Sequence, residues 1–124
     1  MKRLDMYNEP SEKELSYIPK LYSTENITLK DKVIYLHFFL SNSDWYIAEY
    51  DGDDTFFGFV CLNGWTDLAE WGNISLKELK ELKINTSIKI NDKSFFMPLE
   101  VDRDLYFKPK KAHEIPLICK CQRW

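Results

Sequence analysis

Residues 51–55, DGDDT, come closest to a catalytic motif in both residue type and spacing. Two aspartates separated by one residue and followed at the same interval by threonine form the D-x-D-x-T loop of phosphatases. There the first Asp is the nucleophile, the second moves a proton, and Mg²⁺ neutralises the phosphate. That loop must leave a parallel strand and enter a helix. Here Thr55 is followed at once by the strand pattern FFGFV, so we expect a turn that leads into a buried strand.

The overlapping stretch 57–60, FGFV, matches the centre of the strand on which RNA-recognition domains stack bases. Such a surface needs basic neighbours, because phosphate neutralisation supplies most of the affinity for RNA. Three aspartates precede this stretch instead, and the turn at 41–44 is too short for the helix that this fold requires. We therefore expect Phe57 and Phe59 on one face of a strand, Phe56 and Val60 on the other, and Gly58 beneath a neighbouring ring.

Two sets of side chains could in principle bind a metal ion. Asp51 and Asp53 have the spacing of the first ligands of a calcium loop, but its glycine and distant glutamate are missing from their places. Cys119 and Cys121, with His113 and Cys61, could supply four zinc ligands, although structural zinc usually uses C-x2-C pairs. We predict no metal, no cofactor and no catalytic residue, and we expect His37 to be a half-buried, hydrogen-bonded histidine.

Charge is distributed unevenly along the 124 residues, whose net charge is −3. Residues 33–76 contain no Lys or Arg, while residues 77–124 carry eleven basic and seven acidic groups. The seven acids of the middle region are Asp44, Glu49, Asp51, Asp53, Asp54, Asp67 and Glu70. Most of these charges are typical of solvated loops, and the more specific interpretation is an acidic face for a basic partner or a cation.

Three apolar, aromatic segments predict a meander of strands at 33–40, 45–50 and 55–62. The connections SNSD and DGDD are too short for a parallel crossover, so neighbouring strands must be antiparallel. The S-x-x-E pattern of a capping box begins a short helix at Ser11 and a second helix at Ser75. We therefore predict an α+β fold, an antiparallel β-sheet (meander) with one or two short helices packed on one face.

The rest of the chain gives weaker signals. Residues 67–71 are a candidate fourth strand, 84–90 is ambiguous, 95–97 and 101–107 resemble short strands, and the tail 112–124 is apolar enough to pack in part. We expect one domain over 1–124. With no apolar run long enough to span a bilayer and no secretory signal, we expect a cytoplasmic protein with reduced thiols and no membrane partner.

Aromatic residues are concentrated in the meander, since eleven of the nineteen lie between residues 35 and 71. A single small core does not absorb all of them, so some are expected to line a groove rimmed by acids. We expect Arg103 to be a counter-ion for Glu49 or Glu70, or to stack on a ring. The predicted interaction surface consists of Trp45, Tyr46, Glu49, Asp51, Asp53, Trp65 and Arg103.

Five segments occur in an order and spacing that resemble the bacterial domain-of-unknown-function family 2958. They are KLYSTE at 20–25, VIYLHFF at 33–39, DWYIAEYDGDDTFFGFV at 44–60, EWGNISLKEL at 70–79 and DRDLYFKP at 102–109. The resemblance covers about residues 15–115, with Asp102 where the family usually has Glu, and with a longer, more polar segment at 84–100. It implies a small cytoplasmic protein encoded on plasmids and conjugative elements, and it implies no established activity.

Three functions remain open at this point. The first is a non-enzymatic accessory factor of a mobile element that binds another protein through the acidic, aromatic surface. The second is a nucleic-acid-handling module that uses Arg103, Lys108, Lys110 and Lys111 in the basic last third. The third is a hydrolase built on Glu49, Asp51, Asp53 and His37, which requires these four side chains to share a pocket.

Overall fold

The computed structural model describes residues 6–124, so the first five residues of the expected domain lie outside it. The protein has the predicted α+β fold. Its strands are β1 (Val33–Ile34), β2 (Leu36–Leu40), β3 (Ser43–Tyr50), β4 (Thr55–Cys61), β5 (Glu70–Ser75), β6 (Lys83–Ile90), β7 (Lys93–Glu100), β8 (Asp102–Arg103) and β9 (Lys110–Lys111). The helices are α1 (Glu12–Ser16), α2 (Leu76–Glu81) and α3 (Pro116–Gln122).

The main sheet has five antiparallel strands in the order β5-β4-β3-β2-β8. Strands β2, β3 and β4 pair as consecutive neighbours, which confirms the predicted meander. The turn between β3 and β4 is the DGDD stretch, where Asp51 Oδ1 accepts hydrogen bonds from the backbone N–H groups of Asp53, Asp54 and Thr55. The motif is therefore a side-chain-stabilised turn, as the sequence predicts.

The first predicted strand is interrupted at Tyr35, which corrects one expectation. Strand β1 pairs with β9, whereas β2 pairs with β3 and β8. The change of partner puts Ile34 on the opposite face of the sheet from Leu36, Phe38 and Leu40. These four residues do not share one face, because strict alternation holds only along an uninterrupted strand.

Both faces of the main sheet are covered. One core joins Phe38, Ile47 and Phe56 to residues of the N-terminal segment and α2, including Met6 and Leu79. The other core packs sheet residues against the last part of the chain, and it comprises Ile34, Tyr46, Ala48, Phe59, Cys61, Ala112, Ile115 and Ile118. Covering elements were predicted on one face only, and the tail 112–124 provides the second cover through α3.

Strands β6 and β7 form a separate two-stranded sheet. Asn91 and Asp92 connect them and both have positive φ, the backbone geometry that tight hairpin turns require. The ambiguous segment 84–90 and the predicted strand at 95–97 are thus the two arms of one hairpin. The strand expected over 101–107 is limited to the two residues of β8.

The two edges of the main sheet differ. The β8 edge is covered by the N-terminal segment, because Tyr7 forms a bridge with Asp102 and Asn8 Nδ2 donates to the Asp102 carboxylate at 2.8 Å. The β5 edge has no strand on its outer side within residues 6–124. No helix in this part of the chain has the length and hydropathy needed to cross a membrane.

Candidate functional site

The seven residues of the predicted interaction surface do not form one exposed face. Trp45, Tyr46 and Glu49 are buried, with exposed fractions of 5%, 6% and 3%. Trp45 packs into the first core and Tyr46 into the second. Trp65 is 59% exposed, but it follows the far end of β4, whereas Asp51 and Asp53 precede the near end. The exposed acids Asp51 and Asp53 and the exposed Trp65 therefore lie at opposite ends of β4.

Glu49 holds the loop that precedes β1 against the sheet. Its carboxylate accepts hydrogen bonds from the N–H of Tyr22 at 2.9 Å, the N–H of Thr24 at 3.2 Å and the Thr24 hydroxyl. The ammonium of Lys32, itself buried, lies 3.7 Å from Glu49 Oε2 and donates to the carbonyl of Thr24. A buried carboxylate with a paired cation and three donors is a structural anchor.

The protonation of Glu49 agrees with this role. Burial acts to raise the pKa of the carboxyl group, but hydrogen bonds from Thr24 and Tyr22 and the charge of Lys32 outweigh it and lower the pKa. The carboxylate is consequently ionised at neutral pH and fully engaged. A general base needs a free lone pair directed at substrate, and Glu49 directs its lone pairs at the backbone.

The aspartates of the DGDD turn have different tasks. The backbone N–H groups of Asp53, Asp54 and Thr55 lower the pKa of Asp51, whose carboxylate they surround. Asp54 accepts from the Ser75 hydroxyl at 2.7 Å and from the Lys77 backbone N–H at 2.7 Å, which ties the turn to the first turn of α2. Among the three aspartates of the turn, Asp53 is exposed and its carboxylate takes no part in these contacts, so it is the aspartate available to another molecule.

Asp51 and Asp53 line the acidic cleft, a recess of about 960 Å³ between α1, the DGDD turn and the start of α2. Its floor is apolar and includes Leu15, Ile18, Tyr50 and Leu76. Its charged lining residues are Glu9, Glu12, Asp51, Asp53, Lys20 and Lys80. Glu9 pairs with Lys80, which leaves the rim with more negative than positive charge. The geometry suits a ligand with an apolar body and a cationic end.

His37 lies on the second face, away from the cleft. Its Nε2 is 2.7 Å from Asp44 Oδ1 and its Nδ1 is 3.3 Å from Asp104 Oδ2. The ring stacks on Tyr46 with a centroid distance of 4.4 Å and an interplanar angle of 7°. Both ring nitrogens face carboxylates, so the imidazole links β2, β3 and the turn after β8, and we assign it a structural role.

Arg103 does not contact the predicted partners Glu49 and Glu70. Its guanidinium donates to both carboxylate oxygens of Glu14, at 2.5 and 3.3 Å, and to the carbonyl of Asn8 at 2.7 Å. Hydrogen bonds from the Ser11 backbone and from Arg103 lower the pKa of Glu14. A bidentate contact of this kind fixes α1 against β8 and withdraws Arg103 from the basic set proposed for nucleic-acid binding.

Cys119 and Cys121 lie in α3, and Cys61 lies at the end of β4 in the core that α3 covers. Burial and the neighbouring Cys61 raise the pKa of the Cys121 thiol to about 11, and Cys119 donates to the carbonyl of His113 at 2.9 Å. A thiol with so high a pKa is protonated at neutral pH and is a poor nucleophile. No group of three His, Cys, Asp or Glu side chains within the described part of the chain has a metal-binding arrangement.

The hydrolase constellation is not assembled. Asp51 and Asp53 line the acidic cleft, Glu49 is enclosed beneath the loop at 20–27, and His37 lies on the opposite face. The four groups occupy three separate places, so they do not share the pocket that the hydrolase hypothesis requires.

A second exposed feature lies at the other end of β4. The Trp65 corner consists of Leu62, Trp65 and Leu68, which are 47%, 59% and 71% exposed, and it borders a recess of about 340 Å³ beside β5. Of its residues only Trp65 was a sequence candidate. Leu62 and Leu68 can be recognised as exposed surface residues only once the turn at 62–68 is known to lie outside both cores.

Comparison with protein-family models, curated proteins and solved structures gives no match to this chain.

Proposed function

We propose that this protein is a non-enzymatic accessory factor that acts in the cytoplasm by binding another protein, and that its acidic cleft receives a basic and apolar segment of that partner. The observation that carries the proposal is the cleft itself. It combines an apolar floor with carboxylates on its rim, and Glu12 and Asp53 are exposed there. An apolar recess with a complementary charge at its edge gives a partner both affinity and orientation.

The ionisable groups deeper in the protein support a binding function over catalysis. Glu49, Lys32, Asp54 and His37 are occupied by internal partners that hold loops and helices in place. Resemblance to the unknown-function family of plasmids and conjugative elements supports an accessory role in such an element. Under this proposal, the protein contributes recognition, and any chemistry belongs to the partner.

The test is affinity capture from a lysate of the source cell with three forms of the protein. These are the wild type, the cleft variant Glu12→Lys/Asp53→Lys, and the control Asp67→Lys/Glu70→Lys, which makes the same charge change near the opposite end of β4. We expect a partner that the wild type and the control retain, that the cleft variant loses, and that rebinds as a purified protein.

The captured protein should dissociate as the salt concentration rises, because exposed charges on the cleft rim attract it. Retention of the same proteins by all three forms would contradict the proposal. A gel shift of DNA or RNA at low salt that disappears at high salt would instead favour the nucleic-acid-handling alternative.

A further inference from the structure

Strand β5 is an unprotected edge of the main sheet. Its six residues, EWGNIS, include no Lys, Arg or Pro, and their pairing with β4 runs without a register shift. Proteins usually protect such an edge with lysines, prolines, bulges or a covering segment. The opposite edge, β8, has only two residues and is covered by Tyr7 and Asn8. The contrast indicates that β5 is open for pairing with another strand.

The surroundings of β5 define the strand that it would accept. The Trp65 corner offers exposed apolar side chains beside the strand, and a Cβ built on Gly72 meets no atom within 4 Å. Glu70 is the charged residue of this recess, and Asp67 is exposed next to it. An added strand should therefore carry apolar side chains for the corner and basic side chains for the two acids.

Strand β6 of the hairpin has this chemistry. Its sequence KINTSIKI has two lysines and no acid, and Ile84, Lys89 and Ile90 are exposed. Within residues 6–124 β6 pairs only with β7, so its outer edge is open. The other arm of the hairpin contains Pro98, which lacks a backbone donor and is typical of a strand that stays unpaired on one side.

The two strands complement each other in charge and in length. Asp67 and Glu70 place two negative charges beside the β5 edge, and Lys89 of β6 can face them, whereas Lys83 pairs with Glu100 of β7 at 3.5 Å. The two strands have six and eight residues. A two-stranded hairpin alone is only marginally stable in water, so a third strand would stabilise it. Within one chain β5 and β6 do not pair. Helix α2 lies between them in the sequence, and β6 forms its hairpin with β7 instead.

We propose that β6 of one copy pairs with β5 of a second copy, so that the hairpin extends the main sheet of its neighbour. The contact joins two different surfaces, so it closes as a reciprocal pair or continues from copy to copy. The backbone edges provide the hydrogen bonds, the Trp65 corner receives apolar side chains of β6, and Lys89 approaches the acids beside β5. This contact is independent of the acidic cleft.

The test uses purified protein and sedimentation equilibrium from micromolar to millimolar concentration. We expect reversible association of the wild type that weakens as salt is raised. The edge variant Asp67→Lys/Glu70→Lys and the hairpin variant Lys89→Glu should each associate roughly fivefold or more weakly, since like charges then face each other. The cleft variant Glu12→Lys/Asp53→Lys, which changes the net charge by the same amount as the edge variant, is the matched control and should associate as the wild type does.

Mixing the two variants gives the decisive result. The edge variant presents a basic edge and the hairpin variant an acidic strand, so the mixture should associate more strongly than either variant alone. A wild type that stays monomeric throughout the concentration range would overturn the proposal. Association that both variants retain unchanged would overturn it equally, and would point to a different surface.

Discussion

Gly58 shows how the absence of a single side chain allows two strands of the meander to pair. It pairs with Ile47, and a Cβ at this position would overlap the carbonyl oxygen of Tyr46 on β3. The sequence predicted a bulky ring above this glycine, whereas the close neighbour is backbone. Backbone cannot rotate away as a side chain can, so any larger residue must separate β3 from β4.

Gly58→Ala should therefore lower the free energy of unfolding by about 2 kcal/mol or more, as measured by urea denaturation. Gly72→Ala on β5 is the matched control, because a Cβ there meets open space. We expect its free energy of unfolding to stay within about 0.5 kcal/mol of the wild type. Equal losses for the two variants would mean that the overlap at Tyr46 does not decide the effect.

The pair Glu49–Lys32 gives a prediction about pH. The pKa of Glu49 is lowered from its ordinary value of 4.5. Its carboxylate therefore stabilises the folded protein above the unfolded-state pKa, and this contribution is lost as the pH falls through the lower folded-state pKa. Glu49→Gln removes the ionisable group and leaves Lys32 without its counter-ion.

Glu49→Gln should cost about 3 kcal/mol of unfolding free energy at pH 7, since it leaves a buried charge unpaired. The difference between variant and wild type should shrink when both are measured in urea at pH values from 5 down to 3. A difference that is constant over this range would show that the charge of Glu49 is not responsible.

At the scale of elements, the DGDD turn is coupled to helix α2. Asp54 accepts from Ser75 and Lys77, Asp51 closes the turn, and Asp53 takes part in neither arrangement through its side chain. Asp54→Ala should lower the urea midpoint and cost about 1–2 kcal/mol, because α2 loses acceptors at its N-terminus. Asp53→Ala should leave the midpoint unchanged. The reverse order would refute the assignment of Asp54 as the link between turn and helix.

Local patterns were sufficient to predict the meander, the capping box at Ser11 and the N-cap at Ser75. Alternation of apolar residues, short turns and S-x-x-E spacing act over a few residues, and the sequence displays them directly. The Ser11 box is complete in the structure, and the Ser75 hydroxyl accepts from the backbone N–H of Glu78. These elements form where the sequence expects them because their determinants are local.

Partners that are distant in sequence could not be predicted. Glu49 looked like a rim residue because Tyr22, Thr24 and Lys32 reach it only through a long loop. Arg103 finds Glu14 across 89 positions. The hairpin was ambiguous because Asn91-Asp92 is a less distinctive turn than Asn-Gly, and residues 84–90 contain only one charge. Tertiary contact, and not propensity, decides these cases.

For the molecule as a whole, the hairpin β6–β7 should be separable from the main sheet. Ile84 pairs with Leu99, so Asn-Gly can replace residues 85–98 and close a shortened hairpin there. We expect the shortened protein to keep its near-ultraviolet circular dichroism, because Leu99, the hairpin residue that packs against the first core, is retained. Loss of the folded signal would show that the hairpin belongs to the core.

The placement of α3 has a consequence for biosynthesis. Phe59 is translated well before Ile118, although the two belong to the same core. At roughly 5–20 residues per second, a ribosome needs several seconds to deliver the helix that shields this side of the sheet. During that interval the nascent polypeptide exposes the apolar face of the sheet that α3 will later cover, and chaperones have their best opportunity to bind it.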